Sequence, residues 1–167
     1  MKHLMIVAAL GMVASSFAQN APVVDTNGLS VRLGGAYPFE KGVRNVLGNP
    51  TALGLDIVAP QSYIKNTSSF ISIDYFAKQF GKSKYFMPVM LNAKFGGMTL
   101  SGRDSYGFLG VGAVFANIST SATLFGARAG VGTHLGEHVF VEAAAMFSTD
   151  RDGMRANNFG VYLGYKF

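Results

Sequence analysis

The chain contains no cysteine, so neither a disulfide framework nor the lipid-attachable cysteine of a bacterial lipoprotein can support it. Charged residues make up 14% of the sequence, whereas soluble domains contain roughly 25%. The formal net charge is only +5, and no basic stripe indicates a nucleic-acid partner. A folded protein of this composition must take its stability from backbone pairing and packing.

Long apolar runs are missing as well. After Ala18, no segment approaches the roughly 18 consecutive apolar residues of a membrane-spanning helix. Yet the mean hydropathy is +0.27 and the chain holds 21 glycines, a composition too apolar for an ordinary water-soluble surface. These two observations favour a closed β-barrel, because only helices and closed barrels satisfy every backbone polar group within lipid.

The first residues predict export. A short basic start, Met1–His3, precedes the apolar run Leu4–Val13 and the small residues of Ala14–Ala18, which is the pattern of a secretory signal peptide cleaved after Ala18. A transmembrane anchor is the alternative, but the apolar run is about half of the roughly 20 residues that a helix needs to cross a bilayer.

The chain therefore divides into a signal peptide at residues 1–18, a periplasmic N-terminal segment at residues 19–28, and one barrel domain at residues 29–167. In the first segment of that domain, Leu29, Val31 and Leu33 alternate with polar or small residues, as in a half-buried strand. The same period recurs in eight segments: GLSVRLGGAYPF, TALGLDIVA, SFISIDYFAK, YFMPVMLNAKF, SYGFLGVGAVFA, ATLFGARAGVGTHL, VFVEAAAMF and NFGVYLGYKF. Each strand has two sets of alternate positions, which point to opposite faces of the sheet and which we call its two phases. The fifth segment is apolar on both phases. The pattern predicts an all-β fold, an eight-stranded antiparallel transmembrane up-and-down β-barrel.

The connections then fall into two sets. An even number of strands places both termini at the periplasmic end. The outer connections are expected at residues 39–49, 79–84, about 116–121 and 148–157, and the periplasmic ones at 59–69, 97–105 and 136–138. Pro88 lies inside a predicted strand and has no backbone N–H to donate to the neighbouring strand, so we expect a β-bulge there.

Two barrel classes differ in which phase faces outward. A soluble lipocalin-like barrel would expose glycine, alanine and few charges, without the Lys and Glu that keep such surfaces wet. A membrane barrel instead places the aliphatic phase against lipid and the small residues in a narrow lumen. The aromatic residues expected in its two interfacial girdles are Tyr37, Phe39, Tyr85, Phe86, Phe95, Tyr106, Phe147 and Tyr165.

Charged residues share the inward phase. They are Arg32, Asp56, Asp74, Lys78, Lys94, Arg128, Glu142 and Lys166. Their common phase is expected, because Arg or Lys at the lipid midplane costs about 2–4 kcal/mol. We expect a structural network of ion pairs and waters in the lumen. The alternative is a narrow gated pore, opened when ion pairs among Arg128, Glu142, Lys94 and Asp74 switch partners.

The signal peptide, the eight alternating strands and the terminal GVYLGYKF resemble the small outer-membrane β-barrel superfamily, which includes outer membrane protein X and the barrel domain of outer membrane protein A. The resemblance implies a bacterial outer-membrane location, contact with outer-membrane lipid, and insertion by the barrel-assembly machinery. The family's C-terminal insertion signal corresponds here to Phe159, Val161, Leu163, Tyr165 and Phe167.

Catalysis is not expected. The stretch HLGEH, His134–His138, matches the H-x-x-E-H spacing of zinc proteases, but that spacing needs a helix, and Gly136 is predicted in a turn between strands. We therefore expect no metal and no cofactor. Some outer-membrane barrels modify lipid A with a Ser/His/acid set facing lipid, which is a further alternative, whereas His134 is expected to face the lumen.

A binding role rests on the outer connections. They carry Lys41, Arg44, Lys82 and Lys84, which are candidate contacts for anionic lipid, including lipopolysaccharide phosphates, or for a host surface. Solvation of loop tips is the simpler interpretation. The sequence thus predicts a structural or surface-binding barrel, monomeric and without a nucleic-acid partner.

Overall fold

The computed structural model describes residues 28–59, 67–81, 83–100 and 103–167. Within them, eight strands close into a barrel in sequential order, and each pairs antiparallel with its neighbours. The prediction of an eight-stranded antiparallel up-and-down barrel is confirmed. The predicted signal peptide lies outside the described residues, as do all but the last residue of the predicted periplasmic segment.

The elements follow one another as β1 (Leu29–Pro38), α1 (Lys41–Leu47), β2 (Thr51–Val58), β3 (Ser68–Ala77), β4 (Tyr85–Leu100), β5 (Arg103–Asn117), β6 (Ser121–His134), β7 (Val139–Ser148) and β8 (Asn158–Lys166). We call the end that carries Gly28 and Phe167 the terminal end, and the end that carries α1 the helix end. Among the described residues, no helix is both long and apolar enough to cross a membrane.

The first and last strands close the barrel. Their ladder runs from Ser30 opposite Lys166 to Pro38 opposite Asn158. Beyond it, the Phe167 N–H still donates to the Leu29 carbonyl at 3.0 Å. The sheet therefore has no unpaired edge between these strands, which is what a barrel in lipid requires.

The aliphatic phase faces outward. Leu33, Phe125 and Leu163 are each more than half exposed, whereas Arg32 and Tyr162, their neighbours on the other phase, are buried. A soluble barrel would show the reverse, with aliphatic residues inside and charges outside. The outer surface is therefore the kind that lipid covers.

Large aromatic rings fill much of the lumen, although small residues were predicted there. Phe108 lies directly across the β5–β6 ladder from Gly130, and Phe140 lies directly across β7–β8 from Gly164. A Cβ on either glycine would overlap the ring opposite. Tyr106 lies opposite Gly132, and Tyr162 lies opposite Gly34, so glycine on one strand makes room for a ring on the next.

Two of the predicted girdle residues are part of this filling. Phe86 and Tyr106 are buried inside the barrel, because their positions fall on the inward phase of β4 and β5. Tyr37, Phe39 and Tyr165 are exposed on the outside. An aromatic residue near a strand end can therefore face either lipid or the lumen, depending on the phase that it occupies.

An apolar core closes the helix end. Val43 and Leu47 of α1 are buried and belong to one cluster with Phe76 and Phe86, whose rings stack with centroids 4.3 Å apart. The helix ends at Leu47, and the next residue, Gly48, has φ 63° and an N–H that donates to the Arg44 carbonyl, as is common for glycine after a helix. Only a connection was predicted at residues 39–49, because a helix of seven residues without a side-chain cap gives too short a periodic pattern to be recognised.

The expected bulge at Pro88 is wrong. The β3–β4 ladder passes from Ile73 opposite Val89 to Phe76 opposite Phe86 with the register unchanged. The missing N–H of proline thus coincides with a gap in pairing and not with an inserted residue. A register shift occurs instead in the β4–β5 pair, between Phe95 and Met98.

Candidate functional site: a charge network across the lumen

Arg32 on β1 is the centre of a buried ion-pair network. Its Nη1 donates to Glu142 Oε2 at 2.7 Å, and its Nη2 donates to Asp74 Oδ1 at 2.8 Å. The same Nη2 lies 2.9 Å from Asp56 Oδ1. A planar guanidinium with several donors suits this arrangement, because it can serve carboxylates from different directions at once.

Arg128 on β6 extends the network to the opposite side of the barrel. Its Nη1 donates to Asp74 Oδ2 at 2.7 Å, and its Nε donates to Asn92 Oδ1 at 2.8 Å. The Asn92 amide in turn donates to Ser72 Oγ at 3.0 Å and to the Phe70 carbonyl at 3.2 Å. Asp74 therefore links the two arginines, and Asn92 anchors the second of them.

Aromatic groups surround the charged ones. The Tyr106 hydroxyl donates to Glu142 Oε1 at 2.9 Å. The Arg32 guanidinium lies 5.1 Å from the Tyr162 ring centroid, and that of Arg128 lies 4.9 Å from the Phe108 centroid. Lys94 Nζ lies 3.9 Å from the centroid of Tyr106. Cations are attracted to the faces of such rings, most strongly where water is excluded.

Every strand contributes to this set of residues, which we call the lumen network. Its members are Arg32 on β1, Asp56 on β2, Asp74 on β3, Asn92 and Lys94 on β4, Tyr106 and Phe108 on β5, Arg128 on β6, Glu142 on β7 and Tyr162 on β8. All of them are buried. Its three cations and three carboxylates balance, which buried charges require if they are to be stable.

One of the lysines predicted in the lumen lies elsewhere. Lys78 is exposed at the helix end, because β3 ends at Ala77 and the inward phase does not continue to it. Its assignment to the lumen is wrong. Lys166 is partly buried and borders a cavity at the terminal end.

The last strand presents its predicted insertion residues outward. Phe159, Val161, Leu163, Tyr165 and Phe167 are all exposed on the outside of the barrel. The ring of Phe167 lies edge-on to that of Tyr165, with centroids 5.1 Å apart. The role of these residues in insertion stays a prediction.

The candidate lipid contacts differ in their surroundings. Lys41 and Lys84 are exposed at the helix end, whereas Lys82 lies outside the described residues. Arg44 stacks on the Tyr37 ring at 5.0 Å and donates to the Pro38 carbonyl at 2.9 Å. Arg44 therefore supports the end of β1, in contrast to the exposed lysines.

The two histidines of HLGEH lie in different environments. The His134 ring lies 5.3 Å from that of Tyr106, which faces the lumen. The His138 ring stacks on Tyr165, on the outside of the barrel, at 5.5 Å, and its Nδ1 lies 3.0 Å from the Lys166 carbonyl oxygen. In the part of the chain that the structure describes, no cluster of His, Asp and Glu could hold a metal ion.

Comparison with solved structures shows the same architecture. The N-terminal β-barrel domain of Pseudomonas aeruginosa OprF is 15% identical, with 85% of this chain and 98% of that chain covered and a TM-score of 0.50. The chain has the fold of the small outer-membrane β-barrels. The outer membrane enzyme PagL is 13% identical, with 84% and 99% covered and a TM-score of 0.54. The barrel of Yersinia pestis Ail is 18% identical over 84% of this chain and 100% of that one, with a TM-score of 0.47.

By sequence, no protein-family model and no curated protein matches the chain. The barrels it resembles include an enzyme, PagL, so the shared fold leaves the role of this chain to its own residues.

Sequence reasoning missed the uncharged members of the network. Asn92, Tyr106 and Tyr162 each fall on the inward phase of their strands. A polar residue with an amide or hydroxyl on that phase, at the level of the charges, is the signal that could have identified them. The ring–glycine pairs could not be found in this way, because they depend on register between strands.

Proposed function

We propose that the protein is an integral outer-membrane barrel with a structural or surface-binding role, which neither conducts ions nor catalyses a reaction. One observation carries this proposal: the lumen is filled by the lumen network and, toward the helix end, by an apolar core. The exposed aliphatic surface supports the outer-membrane location. Monomeric state and insertion by the barrel-assembly machinery stay predictions.

The filling of the lumen argues against a gated pore. From the network toward the helix end, Phe76, Phe86 and Met90 are buried on the inward phase, and Leu47 of α1 joins the same cluster. A switch of ion-pair partners at Arg128 and Glu142 would leave these side chains in place. An ion would still meet an apolar barrier, which it could pass only by displacing the core.

Planar-bilayer recordings test this part of the proposal. We expect no unitary conductance from the mature protein and none from Glu142→Gln, since the apolar core is intact in both. Glu137→Gln, which changes an exposed residue of the β6–β7 turn, is the matched control. Heat-modifiable migration on a gel verifies that each sample is folded. Reproducible unitary channels from the folded wild-type protein would contradict the proposal.

The location has its own test. We expect the protein in the outer-membrane fraction of the cells that produce it, with migration that changes on heating. Recovery as a soluble periplasmic protein would overturn the proposed location.

Surface binding rests on a group of aromatic and basic residues at the helix end. The rings of Tyr75 and Tyr85 stack at 5.3 Å, and Phe80 stacks on Tyr75 at 6.0 Å. Lys78 and Lys84 are exposed nearby in the chain. Aromatic rings at the interface, with lysines just beyond it, suit an anionic lipid whose phosphates lie at the level of the ammonium groups.

Lipid binding by this group can be measured directly. We expect the variant with Lys41, Lys78 and Lys84 all changed to Gln to bind lipopolysaccharide more weakly than wild type in detergent. The single change Lys84→Gln is then compared with Arg103→Gln, which removes one exposed charge at the terminal end and serves as the charge-matched control. Equal affinity of both variants would count against a specific contact at the helix end.

A lipid A-modifying activity is the alternative function. The sequence has three histidines, of which His3 lies in the predicted signal peptide and the other two lie at the terminal end. A Ser/His/acid set acting on the outer leaflet would need a histidine near the helix end. We expect no lipid A deacylation or palmitoyl transfer by the purified protein in detergent, and measured turnover would revive the enzymatic alternative.

A further inference from the structure

A groove of about 250 Å³ lies on the outside of the barrel, where the first and last strands meet. Its apolar lining comes from β1, β2, β7 and β8 and consists of Val31, Leu33, Leu53, Val139, Leu163 and Tyr165. The three leucines and Tyr165 are all exposed, so the groove opens on the aliphatic surface of the barrel. We call it the seam groove.

The register of the strands explains the shape of the seam groove. Val31 and Val139 lie directly opposite Tyr165, one on each side of β8. Leu33 lies opposite Leu163, at the next outward position of β1 and β8. Residues opposite one another share a face of the sheet. The two short valines therefore form a floor between the Tyr165 ring and a row of longer leucines.

The Tyr165 ring bounds the groove toward the terminal end. The His138 ring stacks on it with centroids 5.5 Å apart, and the Phe167 ring lies edge-on to it at 5.1 Å. His138 directly precedes β7 and Phe167 directly follows β8, so both lie at the ends of their strands. Aromatic rings with a polar tip concentrate at the level where lipid headgroups begin.

A hydrocarbon chain is the occupant that suits the seam groove. A chain that runs from Tyr165 toward Leu33 and Leu163 would contact apolar side chains on two sides. Bilayer chains are themselves as apolar as leucine, so burial alone would not retain one lipid in preference to another. Retention of one lipid therefore requires a polar contact at the terminal end of the groove.

His138 provides such a contact. It is exposed and directly precedes Val139, which lines the groove. Its Nδ1 lies 3.0 Å from the Lys166 carbonyl oxygen, and because a carbonyl can only accept, we assign the hydrogen to Nδ1. In the neutral ring Nε2 is then an acceptor. The headgroup that matches an acceptor beside an apolar groove carries N–H donors, as an ammonium group does.

We propose that the seam groove holds one molecule of phosphatidylethanolamine, a phospholipid with an ammonium headgroup. One acyl chain lies over Val31 and Val139, and the ammonium donates to Nε2 of His138. The proposal rests on the proposed outer-membrane location, which places this lipid in the inner leaflet.

Native mass spectrometry of the mature chain, residues 19–167, folded in nonionic detergent, tests the proposal. Phosphatidylethanolamine and phosphatidylglycerol with identical acyl chains are added in equal amounts, and the lipids that remain on the protein are counted. We expect one retained phospholipid, with phosphatidylethanolamine preferred about tenfold, as one hydrogen bond to a charged group would give. Both lipids supply the same chains, so the preference reports the headgroup contact.

Variants separate the chain contact from the headgroup contact. Val31→Phe should lower the retention of both lipids about tenfold or more, because a ring takes the space of the chain. Val111→Phe, which enlarges an exposed residue of β5, is the matched control and should retain the lipid. His138→Asn can still donate to the Lys166 carbonyl but lacks Nε2, so the preference should disappear. If Val31→Phe fails to fold, Val139→Phe fills the same groove from β7.

Several outcomes would overturn the proposal. They are no retained phospholipid, equal retention of the two lipids by the wild type, and an unchanged preference in His138→Asn. Retention as strong in Val31→Phe as in Val111→Phe would do the same, and so would a lipid-free dimer, which would make a second copy the occupant. Because the purified protein is measured in detergent, these results are distinguishable from a failure of the fractionation test.

Discussion

Phe108 on β5 lies directly opposite Gly130 on β6, and its ring occupies the space that a Cβ on that glycine would need. This pair therefore couples the packing of the lumen to the absence of a side chain on the neighbouring strand. Gly35, on β1, has nothing within 4 Å of its Cβ position, so the two glycines differ in the role of the missing side chain.

We expect Gly130→Ala to destabilise the barrel by about 1–3 kcal/mol, the usual cost of overpacking a filled interior. The matched change Gly35→Ala should be neutral or stabilising by up to about 1 kcal/mol, because it only reduces backbone freedom. Urea unfolding in lipid vesicles measures both. In the Gly130→Ala background, Phe108→Leu should recover part of the loss, and no loss for Gly130→Ala would contradict the packing interpretation.

Asp74 provides a second comparison, since it accepts hydrogen bonds from both Arg32 and Arg128 inside the barrel. We expect Asp74→Ala to cost about 3–5 kcal/mol, because it leaves two buried cations without a shared partner. Asp150 and Arg155 form an exposed pair at 2.9 Å, and Asp150→Ala should cost at most about 1 kcal/mol. The same unfolding assay compares them. Equal effects of the two changes would mean that the lumen network does not stabilise the barrel.

The cap at the helix end can be tested with two neighbouring residues of α1. Leu47 is completely buried, whereas Val46 is exposed. Leu47→Ala should lower the free energy of unfolding by about 2–5 kcal/mol through the cavity it leaves, and Val46→Ala should change it by less than about 0.5 kcal/mol. Faster proteolysis near α1 in Leu47→Ala alone would agree with local loosening of the cap. Similar stability of both variants would show that α1 does not belong to the core.

The last residue tests assembly separately from stability. Deleting Phe167 removes one backbone hydrogen bond to Leu29, which is worth only about 0.5–1.5 kcal/mol, and an exposed ring. We expect a large fall in outer-membrane yield and a small change in the unfolding free energy of the protein refolded in vitro. Phe125→Ala, which truncates another highly exposed ring, should leave the yield unchanged. A normal yield for the deletion variant would refute the role of Phe167 as an insertion signal.

The sequence was sufficient for the barrel because alternation is a local property. Leu29, Val31 and Leu33 must share a face whatever the other strands do, and eight such segments leave few topologies. Arg32 likewise must point into the barrel, because its charge would be costly on a face that contacts lipid.

The filling of the lumen could not be predicted in the same way. Phe86 and Tyr106 resemble girdle residues by type and by position near strand ends, and only the phase of their strands distinguishes the two roles. For Lys78 the phase was predicted correctly but the end of the strand was not. β3 ends at Ala77, one residue earlier, so the Lys78 side chain lies in solvent and not in the lumen. Pairs such as Tyr162 with Gly34 depend on register across β1 and β8, which are at opposite ends of the sequence.

The distribution of the lumen network over all eight strands has a consequence for the order of folding. Arg32 can meet Asp56 and Asp74 as soon as the first three strands pair, but its bond to Glu142 must wait for β7. A sheet that entered the bilayer before closure would expose these charges on a face that lipid could reach, at a cost of several kcal/mol for each unpaired ion. Partly closed barrels in the membrane are therefore destabilised. The buried charges become fully compensated in the same step in which β1 pairs with β8 and the last open edge disappears.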